Sequence, residues 1–132
     1  MKYSIDNLDK LSVIRINTEQ FTSELCTCIE EAAMNLMDEK QVADIILDAS
    51  KVKVFCNETG EMLRMIHLST THLNGMFALV STVAVPGEKI TGLRIFESSD
   101  EAMDTIFENQ LQRHVIEEEN FDLEDFDDEL EL

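Results

Sequence analysis

The chain has 132 residues, enough for one domain with a substantial hydrophobic core. It carries 28 acidic residues against 10 basic ones, a formal net charge of −18. A chain of this charge repels phosphate backbones and anionic lipid surfaces, so no nucleic acid partner is expected. It has no apolar stretch typical of a signal peptide or a membrane span, and its three cysteines do not make a disulfide framework. A reduced, cytoplasmic protein that is not embedded in a membrane is therefore predicted.

The first elements are a β-hairpin and a helix. Tyr3 and Ile5 alternate with polar residues, and a polar turn separates them from the β-branched stretch Leu11–Ile16. From Phe21 onward apolar residues recur at steps of three and four, which predicts an amphipathic helix that Thr22 or Ser23 can cap. Its predicted buried stripe is Phe21, Leu25, Cys28, Ile29, Ala32, Ala33, Leu36 and Met37.

A strand and a second helix follow. Val42–Leu47 is a short apolar run typical of a buried central strand. The next helical stripe is Met62, Leu63, Ile66 and Leu73. Asn74–Gly75 is a standard stop signal, so this helix should end there.

The order of the remaining elements completes an α/β pattern. Met76–Val85 and Leu93–Phe96 predict two more strands, and Ser98 with Glu101 forms a capping box that opens a last helix. The full order, β-β-α-β-α-β-β-α, favours a mixed sheet of four to five strands with helices packed mainly on one face.

The C-terminal segment has a different composition. Ten acidic residues and no basic ones follow residue 116, interleaved with five apolar residues. We expect one domain at residues 1–115 and a disordered acidic tail at 116–132. Two roles stay open for this tail, a docking peptide for a basic groove or a solubilising segment.

No catalytic, cofactor or metal site is predicted. Cys26 and Cys28 are two residues apart and do not share a helix face, and Cys56 is distant in sequence, so no zinc-like spacing is present. The chain has no glycine-rich phosphate loop, no nucleophile elbow and no evident acid and base pair. The protein is therefore expected not to be an enzyme.

The loop that precedes the second helix carries the most specific signal. The text IILDASKVKVFCNETGEML resembles the central part of the STAS domain, the fold of sulfate transporters and anti-sigma factor antagonists. Asp48–Val52 matches a first family stretch, and Asn57–Gly60 matches the loop that leads into a helix. Asn74–Gly75 and the closing text LRIFESSDEAM are also similar, and the resemblance covers about residues 1–113.

The resemblance implies a non-enzymatic regulatory module that binds proteins. In the antagonist branch, a partner kinase that is also an anti-sigma factor phosphorylates a serine or threonine of this loop, and that position falls on Glu58. Asn57 replaces the aspartate of the family, and the loop has one extra residue. The segment between Ser81 and Leu93 is short for the helix that usually lies there.

Two interpretations of Glu58 follow. A carboxylate at a helix N-terminus is stabilised by the free N–H groups and the helix dipole. Glu58 could hold the switch in a phosphorylated-like charge state, or it could simply suit a first helical turn after the switch has been lost. Thr59 retains a hydroxyl that a kinase could phosphorylate.

The resemblance also defines the expected partners. The predicted partner-binding loop comprises Phe55, Asn57, Glu58, Thr59, Gly60 and Met62. The partner would be a kinase-like anti-sigma factor. Alternatively, the protein would be a STAS-like soluble subunit of a membrane transport complex and would bind a transporter subunit. A weak homodimer stays open.

Overall fold

The structure is a computed structural model that describes residues 2–8, 10–85 and 90–113. The predicted acidic tail at 116–132 lies outside the described residues. Contacts divide the chain into two units, Met1–Ala102 and Met103–Leu132. In the second unit, residues 103–113 are helical.

Seven strands and three helices form the described chain. The strands are β1 (Tyr3–Asn7), β2 (Ser12–Ile16), β3 (Gln20–Phe21), β4 (Ile45–Asp48), β5 (Val54–Phe55), β6 (Phe77–Val80) and β7 (Arg94–Phe96). The helices are α1 (Ser23–Asp38), α2 (Thr59–His72) and α3, which covers 99–113. Both predicted caps are confirmed: the Thr22 hydroxyl accepts from the Leu25 N–H, and the Ser98 hydroxyl accepts from the Glu101 N–H.

Five strands form one mixed sheet, as predicted, and the structure gives their order as β1-β2-β4-β6-β7. Strand β1 runs antiparallel to β2, and the remaining pairs are parallel. The register aligns Ile14, Leu47 and Leu79 on one face, where they join the hydrophobic core with α1 and α2. On the opposite face Val13 and Ile46 are also buried, which explains why the strand sequences are continuously apolar.

The central strands are shorter than their apolar runs. Strand β4 begins at Ile45 rather than Val42, because Asp44 turns its carboxylate toward β6 and accepts a hydrogen bond of 2.8 Å from the Met76 N–H. Strand β6 ends at Val80, where the Ser81 hydroxyl bonds to both backbone groups of Val83. The described residues between Ser81 and Leu93 contain no helix.

The end of α2 depends on two different residues of the predicted stop signal. Asn74 adopts the left-handed conformation with φ of 62°. Gly75 is required for space instead, since a Cβ there would lie 1.9 Å from the Ala43 carbonyl oxygen. The prediction that Leu73 lies in the buried stripe is wrong. Leu73 is the C-cap residue of α2 and is 48% exposed.

Strands β3 and β5 were not predicted. They pair in parallel as a separate two-stranded sheet, with Gln20 opposite Val54 and Phe21 opposite Phe55. Each has two residues, too short for alternation to indicate a strand.

The Asp44 side chain offers a test of how β4 and β6 are joined. Asp44→Ala should lower the free energy of unfolding by about 1–3 kcal/mol, because the Met76 N–H loses this acceptor. Asp44→Asn retains an oxygen in the same place and should cost less. Urea denaturation followed by circular dichroism measures both. Equal losses in the two variants would contradict the role assigned to the hydrogen bond.

Candidate functional site

The small β3–β5 sheet places the starts of two helices side by side. Strand β3 leads into α1 and β5 leads into α2. The Cys56 N–H donates to the Phe21 carbonyl over 3.0 Å, and the rings of Phe21 and Phe55 stack with centroids 5.8 Å apart. The N-terminal ends of α1 and α2, each with free N–H groups, therefore meet at one place on the surface.

Glu58 lies at this meeting point. It is the exposed N-cap residue of α2, which confirms the predicted location at the start of a helix. Its side chain does not cap the helix by a hydrogen bond, contrary to the expected geometry. Its own backbone N–H, together with the neighbouring Cys56 thiol and Ser23 hydroxyl, lowers the pKa of Glu58. Because Ser23 opens α1, groups from the starts of both helices act on this carboxylate.

Three polar side chains form a cluster directly beneath Glu58. The sulfur atoms of Cys26 and Cys56 are 3.4 Å apart. The Thr59 hydroxyl is 3.5 Å from the Cys56 sulfur and 3.8 Å from the Cys26 sulfur. We name Cys26, Cys56 and Thr59 the thiol cluster. Burial, aided by the hydrogen bond with Cys56, raises the pKa of Cys26 to about 12, so Cys26 is a thiol at neutral pH.

The cysteine assignments from sequence were partly wrong. Cys28, predicted in the buried stripe of α1, is exposed, and Cys26 takes a place in the core instead. Cys56 is distant in sequence but lies against Cys26, because the pairing of β3 with β5 folds the loop back onto α1. Sequence spacing alone could not show a contact that depends on an unpredicted sheet.

The residues of the predicted partner-binding loop divide by exposure. Asn57 and Glu58 are exposed, and Phe55 and Gly60 are half-buried. Thr59 and Met62 are buried, with 0% and 4% of their surface exposed. Met62 therefore supports the loop from below. A kinase could reach the Thr59 hydroxyl only after the first turn of α2 opened, so phosphorylation of Thr59 stays a prediction.

An exposed apolar stripe on α2 lies next to the loop, beyond the residues predicted for partner binding. Met65 and Leu68 are 39% and 50% exposed, and their spacing from Glu61 by four and seven residues places all three on one face of α2. Val54, just before the loop, is 60% exposed. The sequence signal for this stripe is a second set of apolar residues in α2, which lies on a different face of the helix from the core stripe.

The aspartate of the first STAS-like stretch has a structural role at the end of β4. The Asp48 carboxylate accepts from the Ser50 N–H over 3.1 Å and lies 3.6 Å from the Arg15 guanidinium. Arg15 also pairs with Asp6 at 2.9 Å. These contacts join β1, β2 and β4 and shape the turn that precedes β5.

Metal ligands and membrane-spanning helices would be further kinds of site among the described residues. In that part of the chain, no three histidine, cysteine or acidic side chains converge as metal ligands. Within the same ranges, no helix combines the length and the apolar character needed to cross a bilayer. An open cleft of about 330 Å³ lies between β1 and α1, lined by Tyr3, Cys28 and Asn35 among others. It extends to Lys40 at the far end of α1, away from Glu58.

The sheet order and the loop at the start of α2 define an α/β protein with the STAS fold, the fold of anti-sigma factor antagonists. Solved structures of such proteins superpose on the chain. A serine-to-glutamate variant of RsbS from Moorella thermoacetica matches with a TM-score of 0.68 at 16% identity, covering 86% of this chain and 99% of its own.

Two further structures show the same fold. The anti-sigma factor antagonist SpoIIAA in its unphosphorylated form has a TM-score of 0.66 at 13% identity, covering 79% of this chain and 96% of its own. An anti-sigma factor antagonist from Mycobacterium paratuberculosis has a TM-score of 0.62 at 15% identity, covering 79% and 92%. No protein-family model matches the sequence, and no curated protein matches it.

The hydrogen bonds of Glu58 predict its titration. A carbon-13 NMR titration should place the pKa of Glu58 below the ordinary glutamate value of 4.5. Because the folded-state pKa is lowered, the contribution of Glu58 to stability is present above pH 4.5 and is lost as pH falls through the folded pKa.

A matched pair of variants tests the thiol donor. Cys56→Ala removes it and should raise the pKa of Glu58, whereas Cys56→Ser retains a hydroxyl donor and should keep the pKa low. An unchanged titration in Cys56→Ala would exclude the thiol as a donor to this carboxylate.

Proposed function

We propose that this protein is a non-enzymatic regulatory module of the anti-sigma factor antagonist type, with Glu58 in the place of the phosphorylatable serine or threonine. The observation that carries the proposal is the position of Glu58, exposed at the N-cap of α2 where two helix starts meet. A protein partner would recognise a negative charge there without a kinase having to supply it.

Charge at this position is the physical property that distinguishes the switch states. A phosphoserine adds about 1.5 to 2 negative charges, and a glutamate supplies one without modification. Structures that share this fold include the unphosphorylated form of SpoIIAA and a serine-to-glutamate variant of RsbS. In the present chain the glutamate is encoded, and its lowered pKa keeps it ionised throughout the neutral range.

The surroundings of Glu58 suit a protein partner. The exposed side chains of Met65 and Leu68 continue from the loop along α2, and Val54 flanks the loop on the other side. Exposed apolar groups beside a fixed charge form a common arrangement in protein interfaces, where apolar contacts supply affinity and the charge supplies specificity. We name Val54, Asn57, Glu58, Met65 and Leu68 the docking surface.

The buried residues of the loop have a supporting role in this proposal. Thr59 and Met62 do not face a partner, but they fix the first turn of α2 from the inside. The docking surface is thus a rigid helix start with a short exposed turn. The partner would be a kinase-like anti-sigma factor, and the acidic segment after residue 116 would add a second contact.

Affinity capture from the native host tests the role of Glu58. The immobilised wild type, Glu58→Ser and Glu58→Ala should recover different amounts of a partner identified by mass spectrometry, because both variants remove the fixed charge. Leu68→Ser should also weaken capture, since it removes exposed apolar area from the docking surface.

Asp38→Asn is the matched control for charge. It removes one exposed carboxylate at the opposite end of α1, about 22 Å from Ser23 by helix rise, and should not change capture. Equal recovery by the wild type and both Glu58 variants would refute the proposal. Recovery of a transporter subunit in place of a sigma-factor regulator would support the transport-complex alternative.

A further inference from the structure

The two cysteines of the thiol cluster are close enough to react with each other. The sulfur atoms of Cys26 and Cys56 are separated by 3.4 Å, and a disulfide bond has an S–S length of about 2.05 Å. The sulfurs must therefore approach by only about 1.3 Å. The turn that follows Cys56 contains the exposed residues Asn57 and Glu58.

Backbone hydrogen bonds hold the two cysteines close to each other. Cys56 follows β5 directly, and its N–H is bonded to Phe21 of β3, while Cys26 lies in the first turn of α1 just beyond β3. The Cys26 N–H in turn donates to the Thr22 carbonyl over 2.9 Å. Both cysteine backbones are therefore fixed to the same short sheet, and the sulfurs face each other whenever the sheet is formed.

The two thiols differ in access to solvent. Cys26 is 5% exposed, whereas Cys56 is half-buried at the edge of the loop. Cys26 also has the pKa expected of a thiol that burial keeps protonated. An oxidant in solution therefore meets Cys56 first, and Cys26 lies within reach as the resolving thiol.

We propose that Cys26 and Cys56 form a reversible intramolecular disulfide that fixes the loop to α1 and weakens partner binding at the docking surface. The regulatory half of this statement rests on the proposed function, whereas disulfide formation itself does not. The oxidant would be a hydroperoxide, and the reductant a dithiol.

The oxidation balances in two steps. The Cys56 sulfur attacks one oxygen of hydrogen peroxide and the O–O bond breaks, so that Cys56 becomes a sulfenic acid while the other oxygen takes the thiol proton and leaves as water. The Cys26 sulfur then attacks the Cys56 sulfur, an S–S bond forms, and the sulfenic oxygen leaves as a second water with the proton from Cys26. In the reverse direction a dithiol donates two electrons and two protons, and both cysteines return to thiols.

The disulfide would change the site through two contacts. Cys56 would lose its S–H, which helps to lower the pKa of Glu58 in the reduced protein. The Thr59 hydroxyl would lose its thiol partners at the first turn of α2. The loop would be drawn toward α1, so Asn57 and Glu58 would no longer present the surface that a partner fits in the reduced protein.

Mass spectrometry of the full chain tests disulfide formation. In a Cys28→Ser background, which removes the exposed third thiol, reduced protein is treated with hydrogen peroxide and then with N-ethylmaleimide under denaturing conditions. We expect a monomer lighter by about 2 Da, the mass of two hydrogen atoms, with both cysteines protected from the maleimide. Trypsin should release a cross-link between the peptides that span 16–40 and 54–64. Dithiothreitol should restore both thiols.

Matched variants keep this test falsifiable. In the same background, Cys26→Ser and Cys56→Ser should each abolish the cross-linked monomer. Circular dichroism checks that every variant is folded. The Cys28→Ser parent protein retains all three residues of the thiol cluster. Two free thiols after peroxide treatment, or a sulfinic acid at Cys56 without a cross-link, would overturn the disulfide.

Partner capture tests the regulatory half separately. Oxidised Cys28→Ser protein should recover about tenfold less partner than the reduced form, a loss of about 1.4 kcal/mol in binding free energy. Cys56→Ser in the same background should be insensitive to oxidation, because it removes the thiol that meets the oxidant first. Equal recovery by the oxidised and reduced forms would overturn the regulation even if the disulfide forms. Indifference of the reduced protein to Glu58→Ala would instead refute the proposed function and leave the disulfide standing.

Discussion

The site depends on the parallel pairing of two very short strands, β3 and β5. The Cys56 N–H bonded to the Phe21 carbonyl, and the stacked rings of Phe21 and Phe55, hold the segments that enter α1 and α2 against each other. This pairing aligns the two helix starts with each other, since both strands belong to the small sheet and neither is a strand of the main sheet. The docking surface and the thiol cluster are thus two sides of the same junction.

The junction places a carboxylate above two thiols, and these groups influence each other. The backbone N–H of Glu58 and the nearby Cys56 thiol lower the pKa of the Glu58 carboxylate, while the charge of Glu58 adds to the burial that raises the pKa of Cys26. A charged exposed carboxylate and a buried, neutral Cys26 thiol are therefore mutually consistent at neutral pH. Both interpretations of Glu58 remain compatible with its place at the helix start, since an acid suits any first turn. Partner capture distinguishes them, because only a switch residue affects binding.

Much of the fold could be predicted from the sequence, because apolar periodicity and capping residues mark the longer helices and strands. The hairpin, the stripes of α1 and α2, the caps at Thr22 and Ser98, and the buried central strands all follow from local rules, and the structure confirms them. The predictions failed where one tertiary contact overrides a local pattern. Asp44 shortens β4 by binding the Met76 N–H, and Leu73 leaves the core because the left-handed Asn74 ends the helix there. Cys28 fitted the stripe by spacing, yet Cys26 is the buried residue because it faces the β3–β5 sheet.

The sequence by itself determined that a carboxylate, Glu58, stands where a strand gives way to a helix, because turn and helix signals are local and the position follows from them. It also determined which residue types the loop contains. Only the tertiary structure decided which of them are accessible, that Met65 and Leu68 extend the exposed surface, and that Cys26 meets Cys56. The physical reason is that a contact between residues thirty positions apart depends on long-range strand pairing, and two-residue strands leave no periodic trace in the chain that forms them.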